Sequence, residues 1–383
     1  MDQVFTGARI FDGTRIYEYA ALRIADGEVA EIGPERVLAE RGERVDLGGG
    51  ILAPGFIDLQ VNGGGGVMLG ADPGLDEIAT ICAAHGRLGT AGLLPTLITD
   101  TPEVTRAVIE AGVAAAEAGV PGFLGLHLEG PHIDPRRKGA HDPALIRPMG
   151  PEDLEMLLDA AARLPALLLT VAPESVTPAQ IAALAAAGAV VSIGHSDTDA
   201  EGARTAFRAG ARMVTHLFNA MSPLGHREPG LVGAALDSGE AYVGLIADGV
   251  HVAPEVMRIA LAGRRGDDLT CLVTDAMAVA GTDLTEFRLK DRRILRRQGR
   301  LTLEDGTLAG ADCDMARGLR VLTGDVGLGA VEALGMATSV PAACIGLAGR
   351  RGCLIPGAPA DLVHLSDGME LRRVWRNGVP TER

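Results

Sequence analysis

Two histidines, His195 and His216, lie at the ends of apolar stretches that have strand character. The stretches read A-V-V-S-I-G-H over residues 189–195 and R-M-V-T-H over 212–216, with a helix-like segment between them. In a parallel barrel, the carboxyl ends of consecutive strands open into one mouth, where metal sites are commonly built. The spacing predicts that both imidazoles face one site, whereas a single buried histidine is more often only packed.

Two acidic residues end apolar stretches in the same way. Glu129 ends F-L-G-L-H-L-E and Asp275 ends C-L-V-T-D. One carboxylate and two imidazoles form a ligand set typical of zinc or iron(II) sites that keep an open position for water. A nearby aspartate can accept the proton of that water and later return it. The pattern predicts a hydrolytic centre, although Glu129 alone fits an interior ion pair and Asp275 alone fits a turn cap.

Eight apolar stretches alternate with alanine-rich, helix-like segments. Strands are predicted over residues 56–62, 93–99, 123–129, 167–174, 190–195, 213–218, 241–248 and 271–275. Helices are predicted over residues 75–90, 102–119, 151–163, 178–188, 198–210 and 254–263. Continuous apolar runs are typical of strands buried on both faces, and no G-x-G-x-x-G motif follows the first one. We therefore expect an α/β fold with a TIM-like (β/α)8 barrel.

The two ends of the chain differ from its middle. Residues 3–11, 20–32 and 43–47 read as short strands with a hairpin turn at Asp26-Gly27, and residues 351–379 return to short strands. Residues 286–303 are predicted as a β excursion and 328–340 as a helix. This pattern predicts a small β-sandwich domain built from residues 1–52 and 350–383, and a metal-dependent catalytic barrel over residues 53–349.

Composition excludes several classes of partner. A net charge of -15 disfavours nucleic acid and anionic membrane surfaces, and no apolar run approaches the roughly 20 residues of a membrane span. The first residues lack the basic and apolar regions of a secretory signal, and the five cysteines never form C-x-x-C. We expect a cytoplasmic protein whose partner is a small molecule.

A series of motifs runs in order along nearly the whole chain. It comprises A-P-G-F-I-D-L-Q-V-N-G at 53–63, L-P-T-L-I-T at 94–99, G-L-H-L-E-G-P-H at 125–132, K-G-A-H at 138–141, G-H-S at 194–196, T-H-L-F-N-A-M at 215–221, R-E-P-G at 227–230, A-D-G-V-H at 247–251 and V-T-D-A at 273–276. In these motifs the sequence resembles the N-acetylglucosamine-6-phosphate deacetylases, a family of the amidohydrolase superfamily.

The resemblance implies hydrolysis of the acetamide of an amino-sugar 6-phosphate, with one divalent metal ion per subunit. Zinc is the expected metal, and iron(II) is the alternative. Glu129, His195 and His216 match the metal ligands of the family. Asp275 matches the residue that activates water and then protonates the departing amine, and His141 matches the residue that polarises the acetamide carbonyl.

The resemblance also implies a substrate site and a homodimer. Residues that match phosphate contacts are Asn219, Ala220 through its backbone, Arg227 and His251. Residues that match the sugar lining are Ala140, Asp248, Leu308, Ala309 and Gly310. In the family, the residues at the positions of Arg227 and His251 can reach the active site of the neighbouring subunit.

Gln60 and Asn62 mark a departure from amidohydrolases that bind two metals, which carry His-x-His at these positions. The fourth strand also has no lysine to bridge two metals, so we expect one metal ion, with Gln60 filling the missing site. Three alternatives stay open: a deacetylase for the galactosamine epimer, a cyclic-amide hydrolase, and a non-catalytic sugar-phosphate sensor. Against a sensor stand the complete metal set and Asp275.

Overall fold

The computed structural model describes residues 2–381, and the chain enters it through short strands. The first seven are β1 (Gln3–Thr6), β2 (Arg9–Phe11), β3 (Ile16–Tyr17), β4 (Ala20–Ala25), β5 (Glu28–Pro34), β6 (Glu43–Asp46) and β7 (Ile51–Pro54). The predicted turn joins β4 to β5. Asp26 and Gly27 have φ angles of 52° and 81°, the positive values that a tight hairpin turn requires. A break at residues 7 and 8 divides the stretch predicted as one strand into β1 and β2.

The middle of the chain forms a parallel barrel. Its strands are β8 (Phe56–Val61), β11 (Thr90–Ile98), β12 (Leu126–Glu129), β13 (Leu167–Val171), β14 (Val190–Ile193), β15 (Met213–Val214), β16 (Tyr242–Leu245) and β17 (Thr270–Leu272), with the hairpin β9 (Gly63–Gly64) and β10 (Val67–Met68) after the first. They pair in chain order from β8 to β17. A parallel bridge between Val61 and Ala276 joins the last strand to the first. The predicted eight-stranded barrel is confirmed.

Helices cover the barrel, except for the first helix, which packs against β4 and β5. The helices are α1 (Glu35–Leu38), α2 (Leu75–Arg87), α3 (Pro102–Glu117), α4 (Pro151–Arg163), α5 (Pro178–Ala186), α6 (Ala200–Arg208), α7 (Gly230–Asp237), α8 (Pro254–Gly263), α9 (Met315–Arg320), α10 (Ala330–Ala337) and α11 (Ser339–Cys344). Thr101 and Thr177 cap α3 and α5 through their side chains, each with proline at the first helical position. Helix α7 was not predicted, and the helix predicted over 328–340 is two helices that meet at Thr338.

Along each barrel strand, side chains point alternately towards the helices and towards the barrel interior. On β12, Leu126 and Leu128 belong to the cluster packed under the helices, whereas the intervening His127 does not. This is the period of two expected of a strand. Two residues beyond the apolar interior side chains Leu168 and Val190 come Thr170 and Ser192. The interior therefore changes from an apolar layer to a polar one along the barrel axis.

The polar layer, which we call the polar belt, consists of one side chain from each of β11, β12, β13 and β14 and one that directly follows β15: Thr96, His127, Thr170, Ser192 and Thr215. The Ser192 and Thr215 hydroxyls lie 2.6 Å apart and those of Thr215 and Thr170 lie 2.7 Å apart. His127 Nε2 is 2.7 Å from the Thr170 hydroxyl, and its Nδ1 is 3.3 Å from that of Thr96. Thr96 in turn reaches the Leu94 carbonyl at 3.1 Å. An unbroken chain of hydrogen bonds thus crosses five consecutive strands.

Strands from both ends of the chain form two sheets beside the barrel. The last three are β21 (Leu362–Leu365), β22 (Leu371–Arg376) and β23 (Val379–Pro380). They extend a six-stranded sheet in the order β23-β22-β21-β7-β2-β3, next to a four-stranded sheet in the order β5-β4-β1-β6. This confirms a small β module shared by the two termini, while the exact division at residues 52 and 350 stays a prediction.

A three-stranded antiparallel sheet follows the barrel, where the β excursion was predicted. It contains β18 (Glu286–Leu289), β19 (Arg292–Arg297) and β20 (Arg300–Thr302). Its buried side chains Leu289, Ile294 and Leu301 pack against Met277 and Ala309 from loops at the barrel mouth. The excursion therefore covers part of that mouth. Among residues 2–381, no helix combines the length and apolar character needed to cross a membrane.

Candidate active site

The polar residues at the strand ends surround a cavity of 170 Å³ at the barrel mouth. Its lining residues are Asn62, Ile98, Glu129, Gly139, Ala140, His141, His195, His216, Asn219, Ala220, Ile246, His251, Asp275, Met277, Leu308 and Gly310. A larger groove of 940 Å³ lies elsewhere, with Arg87, Arg296, Asp312 and Arg320 among its walls. Of these two cavities, the smaller contains the predicted carboxylates and imidazoles, so we take it as the candidate site.

Three predicted metal ligands converge at one side of this cavity. Glu129 Oε1 lies 3.3 Å from His195 Nε2 and 3.1 Å from His216 Nε2, and the two Nε2 atoms are 3.1 Å apart. All three side chains are nearly inaccessible to solvent. Burial alone would raise the pKa of Glu129. Hydrogen bonds and charge interactions with the neighbouring His195 and His216 rings have the larger combined effect, so the pKa lies well below its ordinary value. Glu129 is therefore a carboxylate.

The tautomer of His195 follows from its second ring nitrogen. His195 Nδ1 lies 2.8 Å from the backbone carbonyl of Arg137. A carbonyl only accepts hydrogen bonds, so Nδ1 carries a proton, and in the neutral form of the ring Nε2 therefore presents a lone pair. That lone pair faces a carboxylate oxygen, so two hydrogen-bond acceptors lie side by side. A cation bound to both atoms would make this contact favourable. Fixing a ligand histidine through its other nitrogen is typical of protein metal sites.

The spacing of the three donor atoms fits a metal ion. Tetrahedral zinc with bonds of about 2.0–2.2 Å has neighbouring ligand atoms roughly 3.2–3.6 Å apart, close to the separations of 3.1 and 3.3 Å seen here. Within residues 2–381, His216 Nδ1 is buried without a hydrogen-bond partner. Hydrogen bonds therefore hold His195 more firmly than His216, although their Nε2 atoms face the same point.

His141 lies beside these donors but has the opposite tautomer. One ring nitrogen of His141, one ring nitrogen of His195 and one carboxylate oxygen of Glu129 all lie within 4.8 Å of one another. The backbone N–H of Thr99 donates to His141 Nδ1 at 3.2 Å, and the Thr99 hydroxyl lies 2.7 Å from the same nitrogen. Burial lowers the pKa of His141 well below its ordinary value, and a positive charge on the neighbouring His195 would lower it further. The neutral ring therefore carries its proton on Nε2 and offers the cavity a donor rather than a lone pair.

Asp275 is held by two amides from the first barrel strand. Its Oδ1 accepts hydrogen bonds from Gln60 Nε2 at 3.1 Å and Asn62 Nδ2 at 2.7 Å. Gln60 Nε2 also donates to Glu129 Oε1 at 3.1 Å, so one amide bridges the two carboxylates. Burial, and after it the charge of Glu129, raises the pKa of Asp275. Its Oδ2 makes no hydrogen bond with the residues described and is available to a ligand.

Three of the site residues proposed to take part in metal binding or proton transfer have left-handed backbone conformations. The φ angles are 46° at His195, 24° at His216 and 51° at Asp275. Residues other than glycine rarely adopt such angles, which cost on the order of 1–3 kcal/mol each. Each of the three follows the end of its barrel strand by two or three residues. The chain thus accepts strain where the side chains turn into the mouth.

The predicted phosphate contacts divide into two groups. His251 lines the cavity of its own chain, where its Nδ1 donates to Asp248 Oδ2 at 2.7 Å. His251 thus reaches this cavity without a neighbouring subunit. Arg227 lies outside the cavity, is exposed, and has no hydrogen bond or ion pair with residues 2–381. Asn219 and Ala220 line the cavity as expected.

The remaining predicted residues lie just behind the lining. Asp248 lies behind His251. Burial raises the pKa of Asp248, but the hydrogen bonds and charge interaction with His251 and the hydrogen bond from the Val250 N–H together lower it below its ordinary value. Ala309 is buried beneath the excursion, between the lining residues Leu308 and Gly310. Gln60 is buried beneath the two carboxylates that it bridges.

Several lining residues were not predicted. Ile98 and Ile246 end or follow strands β11 and β16, and Met277 comes two residues after Asp275. Their positions at strand ends were available from the sequence, but an apolar type gave no chemical signal. Thr99 was also missed, although it follows β11 directly and determines the tautomer of His141.

The geometry agrees with comparisons to known proteins. A protein-family model described as the amidohydrolase family matches residues 51–380. The chain belongs to the amidohydrolase family.

Individual relatives narrow the comparison. The chain is 40% identical to an N-acetylgalactosamine-6-phosphate deacetylase of Shewanella sp. (strain ANA-3). The matched region covers 97% of this chain and 94% of the relative. It is 35% identical to an N-acetylglucosamine-6-phosphate deacetylase of Haemophilus influenzae, with 93% of each chain covered. The crystal structure of N-acetylglucosamine-6-phosphate deacetylase from Pasteurella multocida superimposes with a TM-score of 0.94 at 32% identity and covers all of both chains.

Proposed function

We propose that this protein hydrolyses the acetamide of N-acetylglucosamine 6-phosphate to glucosamine 6-phosphate and acetate. The observation that carries the proposal is the contrast between neighbouring histidines. His195 is fixed with a lone pair towards Glu129, whereas His141 is fixed with an N–H towards the same cavity. A metal site and a hydrogen-bond donor thus lie side by side, next to a carboxylate with a raised pKa. The family and the named relatives support the same activity.

The proposed metal ligands are Glu129, His195 and His216, and they hold one divalent ion. A carboxylate with two imidazoles suits zinc, with iron(II) as the alternative. When bound, such an ion polarises the substrate carbonyl and makes water more acidic. Gln60 donates its amide N–H to both Glu129 and Asp275 and offers no imidazole at this position, which supports a single ion.

Asp275 is the proposed base and acid. A pKa raised by burial suits it to accept a proton from water through Oδ2 and then to deliver that proton to the departing amine. Gln60 and Asn62 keep its other oxygen in place. His141 donates its Nε2 proton in a hydrogen bond to the carbonyl oxygen of the acetamide, where negative charge develops.

The proposed substrate contacts extend from the chemical centre towards the phosphate. Ala140 and the segment from Leu308 through Ala309 to Gly310 line the sugar. Asn219, the Ala220 backbone and His251 bind the phosphate end, and Asp248 orients His251 through its hydrogen bond.

Arg227 of a neighbouring subunit is proposed to complete the phosphate site in a cytoplasmic homodimer. An arginine fork is the usual partner of a phosphate, and in a chain with a net charge of -15 it would offset the general repulsion of an anion. Its exposed side chain, without a partner in its own chain, is consistent with this role.

N-acetylgalactosamine 6-phosphate is a second candidate substrate, because the relative that is 40% identical carries that name. The two sugars differ only in the configuration of one hydroxyl, so the same catalytic groups serve both. The proposed function therefore places the choice of epimer in the sugar lining and leaves the chemistry unchanged.

The test is acetate release by purified protein of measured metal content. We expect one metal ion per chain and acetate release from N-acetylglucosamine 6-phosphate, with kcat/KM falling by at least about tenfold when the phosphate is absent. A higher kcat/KM with N-acetylgalactosamine 6-phosphate would establish the second candidate instead. Metal-loaded protein that releases acetate from neither phosphorylated sugar would refute both.

A further inference from the structure

His141 differs from the other groups of the site in how it is held. Glu129 ends β12, and His195 and His216 follow the ends of their strands closely. His141 lies in residues 138–150, a stretch without helix or strand in which Lys138 and Gly139 are exposed. Loop residues are more mobile than strand ends, so the orientation of His141 depends on contacts from outside its own segment.

The tip of the β excursion reaches this region. Leu289 pairs with Arg292, which leaves Lys290 and Asp291 as a two-residue turn between β18 and β19. Lys290 has the positive φ of 53° that such a turn requires. Leu289 is buried in the apolar cluster that Ile98 and Ala140 also contact. The tip therefore rests on the cavity wall.

Lys290 holds the loop that follows β11. Its Nζ lies 3.0 Å from Asp100 Oδ2 and 3.5 Å from the Thr99 carbonyl. The Lys290 side chain is 35% exposed, whereas that of Asp100 is only 13% exposed. Thr99 is the residue whose N–H and hydroxyl contact His141 Nδ1.

Arg292 holds the other side of His141. One guanidinium nitrogen of Arg292 donates a hydrogen bond to the carbonyl of Ala140, the residue directly before His141. Two basic side chains of one hairpin thus contact the two backbone segments that determine where the His141 ring lies. Neither side chain lines the cavity itself.

We propose that Lys290 and Arg292 are positioning residues that keep His141 in place with its Nε2 proton directed into the cavity. Lys290 does so through Thr99, and Arg292 does so through Ala140. The inference rests on the proposed function for the role of His141 in turnover, while the orientation of the ring can be tested without turnover. Both basic groups are partly accessible to water, Lys290 being 35% exposed, so we expect their removal to affect the geometry of the site more than folding.

Arg293 provides a matched control in the same hairpin. It pairs with Glu286, both side chains being about half exposed at 48% and 49%, and it contacts neither Thr99 nor Ala140. Arg293→Met removes the same charge from the same strand as Arg292→Met. The conservative variant Lys290→Arg keeps a cation that can reach Asp100 and serves as the rescue.

The experiment compares wild type, the double variant Lys290→Met/Arg292→Met, Lys290→Arg and Arg293→Met as metal-loaded proteins. We expect kcat of the double variant to fall by roughly 10- to 100-fold, since small misplacements of a catalytic group have effects of this size. KM for N-acetylglucosamine 6-phosphate and the metal content should stay within about twofold of wild type. Lys290→Arg and Arg293→Met should retain wild-type kcat.

Ring-nitrogen NMR of histidine-labelled protein supplies the readout that does not depend on turnover. In wild type, His141 should show an unprotonated Nδ1 and a protonated Nε2, and the double variant should shift both signals towards the averaged positions of mixed tautomers. Unchanged His141 signals in the double variant, or an equal loss of kcat in Arg293→Met, would overturn the proposal. A wild type without acetate release would refute the proposed function instead, and the NMR comparison would still decide the positioning.

Discussion

Two adjacent layers of the barrel interior are both polar and both buried, yet they are built differently. In the polar belt, each hydroxyl and both nitrogens of His127 have hydrogen-bond partners. In the site layer above it, a lone pair of His195 faces a carboxylate, and His216 Nδ1 and Asn62 Oδ1 lack partners among residues 2–381.

The backbone shows the same contrast. Positive φ angles occur at His195, His216 and Asp275, whereas the belt residues Thr170 and Ser192 lie inside regular strands. A satisfied polar network stabilises a core, while strain and missing partners collect where a ligand is to be bound. The layer prepared for a ligand therefore rests on a layer that is complete without one.

The largest expected effect is loss of a metal ligand. His195→Ala should lower metal content and acetate release together to near background, because the ring whose lone pair is fixed towards Glu129 is gone. Metal analysis and a turnover assay check this in parallel with His226→Ala, which removes an exposed histidine and should leave metal content unchanged. Full metal occupancy in His195→Ala would contradict the assignment of the site layer.

Asp275→Asn should separate metal binding from chemistry. The amide keeps an oxygen for Gln60 and Asn62 but cannot accept a proton, so kcat should fall by about 10²–10⁴-fold with metal content intact. Metal analysis and kcat on the same sample test this. Normal turnover would exclude Asp275 as the base.

A further prediction concerns stability and the buried carboxyl group of Asp58, which lies where the first and last barrel strands meet. Its Oδ2 lies 2.5 Å from the Thr274 hydroxyl, and burial raises its pKa to about 7 despite hydrogen bonds from Thr274 and Gln60. The folded protein thus holds a proton that the unfolded chain, with a pKa of 3.8, releases first as pH rises. Stability should fall from about pH 4 to about pH 7 and level off above that.

Asp58→Asn should lack this dependence, because the amide is neutral throughout and its oxygen can still accept a hydrogen bond from Thr274. Relative to the variant, wild type should lose a few kcal/mol of unfolding free energy between pH 5 and pH 8, since one pKa unit corresponds to about 1.4 kcal/mol. Denaturant unfolding at several pH values measures the difference, with the exposed Asp283→Asn as control. Parallel curves for wild type and Asp58→Asn would contradict the prediction.

The smallest effect on activity is expected in the polar belt. Thr170→Val keeps the shape of the side chain but leaves His127 Nε2 without its partner, so the unfolding free energy should fall by about 1–3 kcal/mol. Acetate release should stay within about twofold of wild type at a temperature where the variant is folded. If kcat instead fell tenfold or more with metal bound, the distinction between the two layers would not hold.

The sequence predicted the barrel and the strand-end residues because both depend on local patterns. Apolar runs, the Thr101 and Thr177 caps and the Asp26-Gly27 turn act within a few residues, and the structure contains each of them. Helix α7 was missed because its segment, G-L-V-G-A-A-L-D, is apolar on every face and starts with glycine, so it shows no helical periodicity.

Other properties depend on partners that are distant in sequence. The tautomers of His195 and His141 are determined by Arg137 and Thr99, which no pattern around either histidine reveals. The polar belt was equally hidden, because a threonine in a strand is common and only the barrel aligns its hydroxyl with the next one. The role of Arg227 at a neighbouring subunit stays a prediction, since a single chain cannot test it.

The contacts of Gln60 have a consequence for how the protein is made. Its amide joins Glu129 to Asp275, and Asp275 comes 215 positions after Gln60 in the chain. A ribosome that has released only the first 250 residues has already delivered the three proposed metal ligands, but not the proposed base. During synthesis, therefore, the three proposed metal ligands leave the ribosome before the proposed base, and the proposed site is complete only when the last strand closes against the first.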